Sequence, residues 1–324
     1  MRATSLSLIA ALASVLSLAP ELAVAQTYPS RPIRLVVPFD PGGPTDILAR
    51  GVGARMGEGL GATVAVENRS GASTIIGAEI VAKSAPDGYT LFLTTGTAVS
   101  INQHMFKKLP YSPDKDFTAV GYLGANPYGM FANPSVPAST FKDLLAYTKV
   151  NPGKLNVGMA GAGTPTHFAL QMLELASGAR FTAVQYKGNN PALIDVLSGR
   201  IELMLSSPVL MLPHVKTGKL KALAVTSPAR TPQLPDVPAM SEFYPGVEAE
   251  TWFGIMAPAG TPRNIIVRIN AQMQNYTADP ASRDKMLGMG MLLNGGTPEQ
   301  LAAYIKAETE RWGTLIRKLG LTLE

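Results

Sequence analysis

The chain has 324 residues, no cysteine, a formal net charge of +5 and 46% hydrophobic residues. The missing cysteine excludes disulfides, thiolate chemistry, cysteine-ligated zinc and a lipid-modified N-terminal cysteine. The basic residues are scattered, with no run longer than Lys107-Lys108 or Arg317-Lys318, whereas nucleic-acid binders concentrate such charge, so no nucleic-acid partner is expected.

In chain order, residues 1–25 read as a secretory signal peptide: Arg2, an apolar stretch from Leu6 to Leu18, then the small-residue site Ala23-Val24-Ala25 before Gln26. The stretch is shorter than the roughly 20 residues needed to cross a bilayer, so a soluble, exported, unlipidated monomer in the periplasm is expected.

Short apolar strands then alternate with helices. Residues 33–38 form a continuous apolar run interrupted only by Arg34, as for a parallel strand covered on both faces. A helix is expected over 46–60, with Leu48, Val52, Met56 and Leu60 in one row. Strands are expected at 64–67, 90–94 and 120–123, and a helix at 73–85. Beyond Tyr128 a second set follows: helices at 140–150, 165–176, 191–197 and 209–216, and strands at 155–158, 182–185, 202–205 and 220–226. Residues 227–246 are proline-rich and aperiodic, and read as a connection. A strand resumes at 252–257. Thr-Pro pairs at Thr164-Pro165, Thr261-Pro262 and Thr297-Pro298 predict helix starts, because threonine caps bare N–H groups and proline needs none. The last helix, with a Thr297–Gln300 capping box, is expected to end near Gly320. Such alternation predicts α/β architecture with doubly wound sheets.

Two glycine-rich strand-to-helix turns carry the strongest functional signal. Residues 38–46 include Phe39, Pro41, Gly42, Gly43, Thr45 and Asp46; residues 158–167 include Gly161, Gly163, Thr164 and His167. Each opens a helix N-terminus, where bare N–H groups and the helix dipole favour an anion. Together they predict two jaws gripping a small organic acid, with Thr45, Asp46 and Thr164 as candidate caps. A dicarboxylate satisfies both helix ends at once. Ser73 and Thr74 in a third loop, Thr97 after a strand, and Lys187-Gly188 in a further turn are additional candidate contacts. No catalytic residue, metal or cofactor is expected. Ser112-Pro113-Asp114-Lys115 and Lys216-Thr217-Gly218 spell penicillin-binding-protein signatures, but Ser112 lies beside prolines rather than opening a buried helix, and no S-D-N triplet intervenes. The runner-up reading is a periplasmic enzyme with His167 and Asp46 as acid–base pair; a third is a component presenting ligand to a membrane kinase.

Tyr28-Pro29-Ser30-Arg31-Pro32-Ile33 leading into Val37-Pro38-Phe39 and Pro41-Gly42-Gly43 resembles the start of Bug/TctC-type extracytoplasmic solute receptors, the binding proteins of tripartite tricarboxylate transporters. The resemblance continues through Val66-Glu67-Asn68-Arg69, Pro86-Asp87-Gly88-Tyr89-Thr90-Leu91, Gly163-Thr164 with His167, Tyr186-Lys187-Gly188, Leu223-Ala224-Val225-Thr226-Ser227, Leu234-Pro235-Asp236-Val237-Pro238, Ala257-Pro258-Ala259-Gly260-Thr261-Pro262 and Gly295-Gly296-Thr297-Pro298-Glu299. It implies a two-lobed periplasmic binding protein of type II-like architecture, each lobe a mostly parallel sheet with flanking helices. A carboxylated solute, di- or tricarboxylate or aromatic, then lies in the cleft and is delivered to membrane permease subunits. The lobes are expected over 27–125 with 247–324, and over 126–246. Asp40 departs from the resemblance, which has a small neutral residue or proline there, and Pro44, Ser73 and Thr74 stand where glycine is common.

Overall fold

The computed structural model describes residues 28–320 except 160, 162, 163 and 187. The expected signal peptide, Gly163 and Lys187 therefore lie outside the described residues.

Two sheets organise the chain. The first takes β1 (Ile33–Val37), β2 (Val64–Asn68), β3 (Thr90–Thr95), β4 (Phe117–Pro127), and later β10 (Glu250–Pro258) and β11 (Leu292–Leu293), in the order β11-β4-β10-β3-β1-β2. The second takes β5 (Gly129–Ala132), β6 (Asn156–Met159), β7 (Thr182–Gln185), β8 (Leu203–Ser206) and β9 (Lys221–Val225), in the order β7-β6-β8-β5-β9. The continuous apolar run of β1 is buried on both faces, and Arg34, at its half-buried position, pairs with Glu67 on neighbouring β2 at 2.7 Å. That pairing explains how the run tolerates a charge.

The sheets are more mixed than the alternation of elements implied. β1, β2 and β3 are parallel, as are β6, β7 and β8, but β10, β4, β5 and β9 pair antiparallel. The physical reason is connectivity. A strand that leaves one sheet to start the other, or returns from it, runs against the strands beside it. β5 and β11 were not legible in the sequence, being short and closely joined to other elements.

Helices cover both faces: α1 (Pro44–Leu60), α2 (Ile75–Ala82), α3 (Phe141–Val150), α4 (Pro165–Ser177), α5 (Asn189–Ser198), α6 (Pro208–Lys216), α7 (Arg263–Ala278), α8 (Pro280–Gly288) and α9 (Pro298–Leu319). Leu48, Val52, Met56 and Leu60 of α1 are buried with Ile266, Ile269 and Met273 of α7 against one face of the first sheet. The Thr164 and Thr297 caps form as expected. At the third Thr-Pro pair Pro262 is itself the N-cap, because the Thr261 hydroxyl donates to Pro258 O at 2.7 Å.

The register fixes how the two sheets meet. Thr95 at the end of β3 pairs with Phe253, and Pro127 at the end of β4 pairs with Glu250 at the start of β10. The carboxyl ends of β1, β2, β3 and β4 therefore share one edge. In the second sheet Gly129 at the start of β5 pairs with Ser206 and with Val225, the ends of β8 and β9. Only Tyr128 separates β4 from β5. The carboxyl edges of the two sheets thus confront each other across this crossing. Thr226 knits it together: its hydroxyl donates to Ala249 O at 2.6 Å and accepts from Tyr128 N–H at 3.0 Å. Helix α9 makes a third connection. Leu301 packs on the first sheet, whereas Trp312, Leu315 and Ile316 are buried in the core of the second with Phe168.

Glu250 sits at this crossing, beside Glu308, Arg311 and Tyr304 of α9 and Tyr122 of β4. Burial, and then the neighbouring Glu308 carboxylate, push the Glu250 carboxyl up to about 7, against an opposing pull from Arg311. A carboxyl raised in the folded state makes stability fall as pH rises from the ordinary carboxylate range through about 7. Glu250→Gln removes that fall: its melting temperature is expected to exceed that of the unsubstituted protein above neutrality and to converge with it in acid. Parallel pH–melting curves would rule this out.

Candidate functional site

Loops following the parallel strands of both sheets open on the shared gap. Open α/β sheets bind ligands there because helix N-termini collect beyond the carboxyl ends of strands. After β1, the turn through Phe39, Pro41, Gly42 and Gly43 leads into α1. Gly42 has φ of +83°, a conformation that favours glycine. Gly43 is the N-cap and has no side-chain cap bond, so Thr45 and Asp46 do not cap in the usual manner. Asp46, only 3% exposed, instead turns its carboxylate back into the loop. It accepts from Gly42 N–H at 3.0 Å, Arg50 Nε at 2.9 Å and Asn68 Nδ2 at 2.9 Å. Asn68 also donates to Phe39 O at 3.0 Å. The Arg50 hydrogen bond, with help from Gly42 and Asn68, holds the Asp46 carboxyl down at about 2. Asp46 is thus a brace of the first turn. Pro44 has no N–H, and the first helical bond is Ile47 N–H to Gly43 O, which leaves the N–H groups of Thr45 and Asp46 at the helix end.

Asp40 stands on the same turn, exposed, and one carboxylate oxygen accepts from Ser70 Oγ. Ser70 belongs to the loop after β2, which continues through Ala72, Ser73 and Thr74 with φ of 45°, 51° and 74°. Three successive left-handed residues without glycine are costly, of order 1 kcal/mol or more each. The sequence predicted a helix from residue 73, but this backbone delays its start to Ile75. The buried Asn102 amide holds the loop by donating to Ser73 O at 2.8 Å. Thr74 is buried and its hydroxyl also donates to Ser73 O, so it is committed within the loop, whereas Ser73 is exposed. Thr97, half-buried, begins a π-helical turn (Thr97–Ile101) just beyond β3.

In the second sheet, Gly161 has φ of +109° and its carbonyl accepts from Thr164 Oγ1 at 2.8 Å. Thr164 caps α4 by accepting from His167 N–H at 3.3 Å. The His167 ring stacks on Phe168 with centroids 5.9 Å apart. Burial lowers its pKa, against a smaller upward pull from Glu174. Gly188 is the N-cap of α5, with φ of +103°. The start of α6 at Ser207-Pro208 joins the same edge.

The expected residues therefore group at the two confronting edges: Phe39, Pro41, Gly42, Gly43, Thr45, Asp46, Ser73, Thr74 and Thr97 on one, and Gly161, Thr164, His167 and Gly188 on the other. Asp46 and His167 sit on opposite lobes' turns, and the three donors on Asp46 favour its ionised form. Sequence reasoning missed three positioning groups: Asn68, Ser70 and Asn102. The first two lie in a motif that ends a strand, where a side-chain amide or hydroxyl braces the adjacent turn. Among the described residues there is no cluster of His, Asp and Glu able to hold a metal ion.

Comparison with known proteins agrees with this geometry. Residues 48–321 match the family model described as the tripartite tricarboxylate transporter family receptor. The chain is 39% identical over 295 residues to a protein encoded in the tcbD-tcbE intergenic region of a Pseudomonas species, covering 89% of this chain and 86% of that one. It is 34% identical over 302 residues to protein BugT of Bordetella pertussis, covering 93% of each. Among solved structures, it is similar to R. palustris Rpa4515 with adipate, at 33% identity and TM-score 0.74, covering 91% of this chain and 100% of that chain. It is also similar to MatC from Rhodopseudomonas palustris with bound malate, at 32% identity and TM-score 0.69, covering 89% and 100%. With two facing α/β edges and a family model spanning both, the chain belongs to the tripartite tricarboxylate transporter family of receptors.

Proposed function

We propose that this protein is a periplasmic solute-binding receptor that captures a small organic carboxylate between two lobes and delivers it to a tripartite-type membrane transporter. The lobes are residues 27–125 with 247–324, and 126–246, with the last turns of α9 reaching across to the second. The observation that carries the reading is the confrontation of two carboxyl edges, each bearing helix N-termini, across a short crossing. Adipate and malate in the two similar structures support a carboxylate as the ligand class. Binding favours closure because contacts from both edges are available only when the lobes meet, which shifts the population toward the closed form. Export by the N-terminal signal peptide belongs to the same proposal.

The test is calorimetry of purified protein with a series of linear carboxylates, followed by product analysis and small-angle scattering. The expected result is saturable one-to-one binding, a smaller radius of gyration and unchanged ligand. Binding with turnover would replace the receptor by the enzyme reading. Failure of every carboxylate to bind would remove the ligand class.

A further inference from the structure

We propose that Asn102 is a positioning residue for ligand capture: its amide holds the loop after β2 in a strained, binding-competent form, fastens it to the turn after β3, and so sets the receptor's affinity. This deepens the receptor reading above and rests on it. Ala72, Ser73 and Thr74 all lie in the left-handed region, with φ of 45°, 51° and 74°. A Cβ in that region crowds the following carbonyl, so the run unwinds unless its surroundings fix it. Two donors converge on its middle. Ser73 O accepts from the Thr74 hydroxyl and from Asn102 Nδ2, the latter at 2.8 Å. The Thr74 bond is local and travels with the loop. The Asn102 bond spans 29 positions and anchors the loop to the rest of the lobe.

Asn102 is itself fixed. It is 2% exposed and directly follows the π-helical turn Thr97–Ile101. Its amide also meets Tyr111 Oη at 3.4 Å, and the Tyr111 hydroxyl donates in turn to Ala98 O, inside that turn, at 2.7 Å. One buried side chain therefore joins the two neighbouring loops that carry Ser73 and Thr97. At the near end of the loop after β2, Ser70 Oγ donates to Asp40 on the turn after β1. The three loops of the first edge are thus tied side by side. The Ser70 tie lies at the surface, where water competes for it, whereas the Asn102 side chain is buried. Without the Asn102 amide the run relaxes toward ordinary negative φ, and a smaller fraction of the protein keeps Ser73 in place. Apparent affinity falls with that fraction.

The experiment is calorimetry with succinate, malate and adipate on the unsubstituted protein, Asn102→Ala and the milder Asn102→Ser, each also combined with Ala72→Gly. Glycine at 72 takes φ of 45° without the crowding of a Cβ, so the loop depends less on its holder. Asn270→Ala is the control: that amide donates to Val120 O and Gly296 O in the same lobe, away from these loops. Melting temperatures check that every variant folds. The expected result is that N102A and N102S weaken binding about fivefold or more. A72G restores part of that loss in both, and by itself leaves affinity within about twofold. N270A lowers the melting temperature at unchanged affinity. Unchanged affinity in both Asn102 variants overturns the inference, as does an equal loss in N270A or no recovery with A72G. In those cases acids still bind, so the receptor reading stands. If none of the acids binds the unsubstituted protein, the carboxylate reading fails and this inference with it.

Discussion

Asp46→Ala is expected to lower stability by about 2–4 kcal/mol, because three donors lose one buried, charged acceptor and the turn loses the group that ties Gly42 N–H to the Asn68 amide. The range leans on hydrogen bonds to the charged carboxylate rather than on the Arg50 ion pair, since the Arg50 side chain is 54% exposed and water screens it. The pH dependence has a definite sign. A carboxyl held at about 2, against an ordinary 3.8, gives stability that is present above about pH 4 and lost as pH falls through about 2. The linked free energy is on the order of 2 kcal/mol, and D46A is expected to lose that share of the acid dependence while other depressed carboxyls such as Glu242 keep theirs. Ligand affinity should fall as well, because the braced turn from Phe39 to Thr45 loosens. Urea unfolding at neutral and acid pH, with calorimetry on the same variant, measures both. A D46A protein with unchanged stability and unchanged affinity would show that Asp46 braces nothing.

Trp312→Ala is expected to have the largest effect of any single substitution, about 3–5 kcal/mol, from the cavity left by a fully buried aromatic. Trp312 lies on the far half of α9, its ring centroid 5.0 Å from that of Phe168 on the second lobe, and its indole N–H donates to Glu308 at 2.8 Å. The near half of the same helix is packed on the first lobe through Leu301. The substitution therefore loosens the strap between the lobes as well as hollowing a core. Chemical denaturation is expected to change from one cooperative transition to two separated ones, since coupling between the lobes is what merges them. Trp312→Phe keeps a ring against Phe168 while giving up the indole N–H and part of the ring volume, so it should cost less. A single sharp transition in W312A, at reduced midpoint, would show that α9 stabilises the second lobe without joining it to the first.

The fold was largely legible because its strands are short apolar runs and its helices begin with recognisable caps. Thr164 and Thr297 announce helices that start where the local sequence says, since a hydroxyl and a proline need only their own turn to act. The site was legible as a set of turns and much less as a set of roles. Asp46 reads as an anion-site or acid–base residue in a glycine-rich turn, yet it accepts from Asn68, which lies 22 residues further on. Ser73 and Thr74 read as the first residues of a helix, yet a left-handed backbone held by Asn102 keeps them out of it. Both have one cause: the partner comes from elsewhere in the chain, Asn68 at the end of β2 and Asn102 beyond the turn after β3.

By itself the sequence determined a cysteine-free α/β chain with two glycine-rich turns that lead into helix N-termini. Local propensity, capping and composition act over a few residues, and those suffice for elements and turns. Only the tertiary structure decided how the turns differ. Bringing β1, β2 and β3 together closes Asp46 under Asn68, sets Asp40 against Ser70 and lets Asn102 hold the loop at Ser73. Hydrogen bonds and charge act through space, so what each turn holds depends on which loops the sheets place side by side.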